Sequence, residues 1–254
     1  MKTSPAQRGF TLVELMIAVL IGLFLVGGLL TLVQAMKRTN VSQSGLSQLQ
    51  ENERMAMTLI TDVIQSTGYF YTPLLNSAAA AFPVTGSFTV AGQALVGAGT
   101  WGSATPGHSI TVRYQTLGTD KVINCTGNTS NFAATFTNTF SIDANGNLQC
   151  QLTVKVGATT TVNAAVPLIP GLYNMQIYYG VQSNTSVNTH SVDVYLDGAS
   201  MTSAYWGAVK SVKVTLTFLN PIYGTLQGQT TTNTPQYIYF TRIIPVMSNT
   251  GVST

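Results

Sequence analysis

Arg8-Gly9-Phe10-Thr11-Leu12-Val13-Glu14-Leu15 opens the stretch that decides the fold of this 254-residue chain. From Phe10 to Val33 the sequence is apolar apart from Glu14 and two threonines, and Lys37 and Arg38 close the run. No charge occurs between Leu15 and Val33. That is about 28 Å of helix at 1.5 Å per residue, enough to cross the hydrocarbon core of a membrane. A secretory signal peptide has a shorter apolar core with a small-residue cleavage site behind it. Here Gln34, Ala35 and Met36 run straight into charge, so the segment reads as a retained anchor. Glu14 is out of place in it. A carboxylate costs a few kcal/mol at the centre of a membrane helix, and less near its end. It calls for headgroup-level water or a fixed cationic partner.

The surrounding residues choose between these. Gly9-Phe10-Thr11-Leu12-Val13-Glu14, preceded by Arg8, resembles the processing and methylation motif of type IV pilins and type II secretion pseudopilins. The resemblance implies that a prepilin peptidase cuts between Gly9 and Phe10 and that the new N-terminal Phe10 is N-methylated. It also implies that Glu14, fifth in the mature chain, pairs with the amino group of a neighbouring subunit's first residue. That cation exists only after cleavage, and a buried carboxylate is tolerated once a cation neutralises it. The segment departs from major pilins in lacking a helix-breaking Pro in its second half, where it has only Gly22, Gly27 and Gly28. Gly27-Gly28 reads as a place for close helix packing, or as a flexible point.

Beyond Arg38 the helical pattern continues. Leu46, Leu49, Ala56, Ile60 and Val63 recur at spacings near three and four, with Glu53 interrupting the stripe. No Pro occurs from Thr39 to Thr67, and Gly68 is positioned as a C-cap. This predicts one helix from about Thr11 to Thr67, lipidic in its first half and amphipathic in its second, with a sheet under the stripe. Residues 69–107 read as a long loop with one or two short strands. Strand patterns follow at Ser109–Thr116, Leu148–Val156, Leu172–Val181, Ser191–Leu196, Val212–Phe218 and Tyr237–Val246. The fold class is α+β: a type IV pilin-like fold, by the resemblance, with a long N-terminal helix packed on an antiparallel β-sheet head with long loops. The divisions are a leader at 1–9, an apolar helix at 10–36, an amphipathic helix at 37–67 and a β-rich head at 68–254.

The head has a narrower resemblance. Glu51-Asn52-Glu53-Arg54 leading to Gly68-Tyr69, Leu168-Ile169-Pro170-Gly171-Leu172 followed by Tyr178-Tyr179-Gly180, and Trp206 before the Val209–Phe218 strand are similar to PilW-type minor pilins. Gln182, Ser183, Asn184 and Thr185 stand where acidic residues are expected after the Tyr-Gly pair, which argues against a calcium site. Asp193 and Asp197 read as solvated residues flanking a strand. In a chain that the resemblance sends to an oxidising compartment, Cys125 and Cys150 are expected to form one disulfide. Closing a loop of about 26 residues would stabilise the head by roughly 3 kcal/mol in the chain-entropy model.

Composition limits the remaining functions. Only 7% of residues are charged, with 11 basic and 8 acidic, against roughly a quarter in an average soluble protein. Charge-driven disorder and a strongly electrostatic nucleic-acid binder are both excluded on that ground. His108 and His190 are the only imidazoles and no nucleophile motif accompanies them, so they read as surface or strand residues. The glycines of Gly92–Gly102 lack the Lys-Ser/Thr ending of a phosphate loop. The sequence therefore assigns no catalytic residue, metal ligand or cofactor. The resemblance implies a minor pilin near the tip of a type IV pilus that primes or supports assembly. Its partners would be the prepilin peptidase, other minor pilins, the major pilin, the inner-membrane assembly platform and a tip adhesin. The precursor would sit in the inner membrane with a periplasmic head before entering the surface pilus. The alternatives are a type II secretion pseudopilin and an anchored adhesive module using Trp101, Trp206 and the tyrosines.

Overall fold

The computed structural model describes residues 11–100, 102, 107–183, 191–223 and 235–249. A single helix, α1 (Leu12–Gln65), runs without interruption for 54 residues, about 81 Å at the standard rise. Thr11 caps its start in extended conformation, its hydroxyl accepting from the Glu14 N–H at 3.3 Å. The helix ends on Ser66 rather than at Gly68. Gly68 lies two residues further on with φ +75°, where an added Cβ would strike the Ser248 side chain. The Gly27-Gly28 pair leaves α1 unbroken.

Leu49, Ala56, Met57, Ile60, Val63 and Ile64 form the buried face of α1. That face is wider than the expected one-residue-per-turn stripe, because it covers a sheet instead of another narrow seam. Leu46 and Glu53 are half-buried at its border. After α1 come a one-turn helix α2 (Ala78–Ala81) and the short strand β1 (Leu95–Ala98). Next are β2 (Ser109–Thr116), β3 (Ala134–Ile142), β4 (Leu148–Val156), β5 (Thr159–Val162) and β6 (Val166–Ile169). The chain finishes with β7 (Leu172–Val181), β8 (Val194–Leu196), a short helix α3 (Ser203–Trp206), β9 (Val209–Leu219) and β10 (Tyr237–Pro245).

Among the described residues the head contains two antiparallel sheets. The first has the order β1-β2-β3-β4-β5, with β6 pairing beside β5 along the same edge of β4; the second has the order β10-β9-β7-β8. Helix α1 lies across β10, β9 and β6, and the two sheets meet where β2 and β3 approach β7. Ile110, Tyr114, Phe136, Phe140, Met175, Ile177, Tyr179 and Leu216 fill the interior between them. Strands β2, β4 and β7 match the sequence pattern at both ends. The expected Ser191–Leu196 strand is shorter, since Ser191 to Asp193 do not pair in the ladder. Strand β3 carries no sequence expectation, although its residues alternate buried and half-buried throughout.

Arg113 of β2 shapes the outer side of the first sheet. Its guanidinium is buried and donates to the carbonyls of Gln93 (2.7 Å), Pro83 (2.8 Å) and Phe82 (3.1 Å) and to the Thr85 hydroxyl (3.0 Å). It also stacks over the Phe88 ring, 4.1 Å from the centroid. Residues 82–93 are thereby held against the sheet. Burial lowers the Arg113 pKa to about 10, so the group keeps its charge at neutral pH.

Candidate functional site

Of the functional residues expected at the N-terminus, Glu14 is described, at the free end of α1. Glu14 lies in the first turn, and the capping bond from its N–H to Thr11 makes Thr11-Leu12-Val13-Glu14 a capping-box sequence. An acid here also complements the positive end of the helix dipole. This local role of Thr11 was readable as a Ser/Thr-x-x-Glu pattern and escaped the motif reading, which concentrated on the Glu alone. Gly9 and Phe10, the expected cleavage and methylation positions, lie outside the described residues.

The surface behind Glu14 is almost wholly apolar. Large side chains from Leu12 to Met36 are all exposed, between 49% at Val33 and 84% at Phe24. The segment is long and apolar enough to cross a membrane. Head contacts on the helix begin near Gly45, where an added Cβ would approach Pro221 within 2.9 Å. Asn52 then donates to the Pro170 carbonyl and Arg242 to the Thr61 hydroxyl. Roughly 50 Å of helix therefore projects beyond the head. An exposed apolar surface of this extent needs lipid or other protein around it. Two threonine hydroxyls on the projecting part are satisfied internally: that of Thr31 donates to the Gly28 carbonyl (2.8 Å) and that of Thr39 to the Ala35 carbonyl (3.0 Å). No atom of the described chain approaches a Cβ built at Gly22, Gly27 or Gly28. With Leu20, Leu23, Phe24 and Thr31, the Gly27-Gly28 pair leaves a shallow trough on the helix, suited to close approach by a second helix.

Cys125 and Cys150 are disulfide-bonded and both buried. The bond ties the loop after β2 to the middle of β4. The buried Asn138 side chain of β3 steadies it by accepting from the Cys125 N–H at 2.9 Å.

Several expected surface residues are placed differently. His108 is buried, its N–H bonded to the Met175 carbonyl, Nε2 3.1 Å from the Thr100 carbonyl and Nδ1 3.0 Å from the Ile177 N–H. It fastens the start of β2 to β7. Asp197 is also buried, because it caps the short turn after β8 by accepting from the Ser200 N–H at 2.8 Å. Asp193 is exposed, in line with the solvated reading, and accepts from the backbone N–H and hydroxyl of Ser183. Trp206 packs edge-on against buried Tyr179, 4.8 Å between centroids, so it is core material and no binding platform. Trp101 and His190 lie outside the described residues. Among the tyrosines, Tyr114 and Tyr179 are interior, and Tyr173 and Tyr237 stack at 4.3 Å near the helix exit. No cluster of three His, Cys, Asp or Glu side chains occurs among the described residues.

Two family models match the chain. Residues 4–30 match the prokaryotic N-terminal methylation motif. Residues 139–252, from the middle of β3 past β10, match type IV pilus-assembly protein W. A type IV-like pilin from Thermus thermophilus is similar in structure, with a TM-score of 0.45 and 14% identity over 79% of this chain and 96% of the other. No curated protein matches the chain in sequence.

Proposed function

We infer that the chain, with its N-terminal methylation motif and its match to type IV pilus-assembly protein W, is a type IV pilin-like minor pilin of the PilW type that enters a type IV pilus near the tip and primes or supports its assembly. Prepilin peptidase removes residues 1–9, Phe10 becomes the N-methylated first residue, and α1 holds the precursor in the inner membrane with the head in the periplasm. During assembly the apolar part of α1 leaves lipid for the α1-like helices of other minor pilins and the major pilin. The assembly platform drives that transfer. Glu14 then pairs with the Phe10 amine of a neighbouring subunit and sets the axial register. The head presents a docking surface to other minor pilins or to a tip adhesin. No catalytic role is assigned to it.

One observation carries this reading: a capped, continuous helix that exposes only apolar side chains for most of its projecting length, with a lone acid in its first turn. A membrane anchor accounts for the apolar surface but gives the Glu14 carboxylate no cationic partner. A helical filament core accounts for both. The PilW-type domain favours a pilus over a secretion pseudopilin. In cells with retraction blocked, Glu14→Ala should abolish incorporation into sheared fibres while membrane levels stay normal. Unchanged incorporation would refute the register role.

A further inference from the structure

The assembly reading leaves the outer face of the six-stranded sheet without a task. Along β2, β3 and β4 the inward positions are core, apolar except for Thr116 and Asn138, and the outward positions form an independent set. Thr135, Thr137 and Thr139 of β3, Thr153 of β4 and Thr160 of β5 line one open groove there. Residues 82–88, clamped by Arg113, stand along its side. The groove encloses about 590 Å³, within the usual range for small-ligand sites. Tyr71 adds a partly exposed ring at the edge.

Its chemistry is selective. The lining includes two cations, Arg113 and Lys155, and no Asp or Glu. Among the described residues Arg113 bonds only to neutral carbonyls and a hydroxyl, so no carboxylate contact there cancels its charge. It contributes a fixed positive potential from behind the wall, while exposed Lys155 can touch a ligand directly. The Thr111 and Thr139 hydroxyls bond each other at 2.9 Å; the rest of the threonine array offers hydroxyls that can both donate and accept. Helix α1 packs on β6, β9 and β10, so the groove stays open when the helix is engaged.

We propose that this groove binds an acidic glycan. Sugar hydroxyls bond to the threonine array, a ring face rests on Tyr71, and an anionic substituent meets Lys155 within the field of Arg113. A nucleic acid fits less well, since tracking phosphates requires a row of accessible cations and this groove has one.

The test is calorimetric titration of the full chain in detergent micelles with tetragalacturonate, with maltotetraose as the neutral match and a 12-mer of oligo-dT. Tetragalacturonate should bind about tenfold or more tightly than maltotetraose. Lys155→Gln should erase that preference. Thr137→Val should weaken both sugars about threefold or more. Both substitutions replace outward-facing side chains and leave the core untouched. The proposal is overturned if tetragalacturonate fails to bind, if both variants bind it like the parent, or if oligo-dT binds more tightly than the sugar.

Discussion

At Glu14 backbone and side chain carry separate tasks: the N–H closes the first turn on the Thr11 hydroxyl, and the carboxylate, in the proposed fibre, meets a neighbour's amine. They separate by mutation. Thr11→Val removes the cap acceptor and should cost about 1 kcal/mol, confined to the first turn. Faster amide exchange at Leu12–Leu15, with fibre incorporation retained, is the expected outcome. Glu14→Gln should show the reverse, with the turn preserved and incorporation lost. At Arg113 a buried cation serves carbonyls of one loop. Arg113→Met would leave those carbonyls unpaired and should destabilise the chain by about 2–4 kcal/mol in denaturant unfolding. Exchange protection should fall chiefly over residues 82–93. Asp143 carries a pH signature. Its bonds from the Asn147 side-chain amide, then from the Asn147 backbone, hold the ionised form and depress its pKa below the ordinary carboxylate value. The stability it supplies is therefore full above about pH 4, the unfolded value, and lost as pH falls through the lower folded value. Asp143→Asn should melt below the parent at neutral pH, and the two melting curves should converge in acid.

On the scale of elements, α1 was the most legible feature, because an uncharged run and a continuing 3-to-4 spacing leave few other conformations. Met57 and Ile64 escaped because the covering face of a helix on a sheet is broader than a single stripe. β3 escaped for another reason. Its inward row is Phe136, Asn138, Phe140 and Ile142, and the buried amide at its centre spoils the apolar alternation. That amide is used at the Cys125 backbone, a long-range contact invisible to local pattern. The disulfide beside it followed from compartment and cysteine count, and it is present. Cys125→Ala with Cys150→Ala should lower the unfolding free energy by roughly 3 kcal/mol, read by denaturant titration of the full chain. In the candidate site, Glu14 was legible as a charge in an apolar run. The threonine groove was not, because its wall is a loop brought over the sheet by Arg113.

For the molecule as a whole, the α+β class was readable while its division into two sheets was not. Strand order depends on pairings that skip neighbours, such as β7 with β9 and β4 with β6, and no local pattern encodes them. The scarcity of charge also acquires a meaning at this scale. The ion pair between Glu51 and Arg54 is exposed and contributes little; the head is held by core packing, backbone ladders and hydrogen bonds in which single charges such as Arg113 and Asp197 meet neutral partners. Docking between this head and other pilin heads should accordingly change by less than about threefold between low and physiological salt, measured by titration of the purified partners. The central claim, that this chain is cut, methylated and built into a fibre through α1, is tested most directly by mass spectrometry of sheared pili. The account predicts an N-terminal peptide beginning at N-methylated Phe10, recovered from the fibre fraction. A chain that retains residues 1–9, or that remains in the membrane while fibres form without it, would contradict the account.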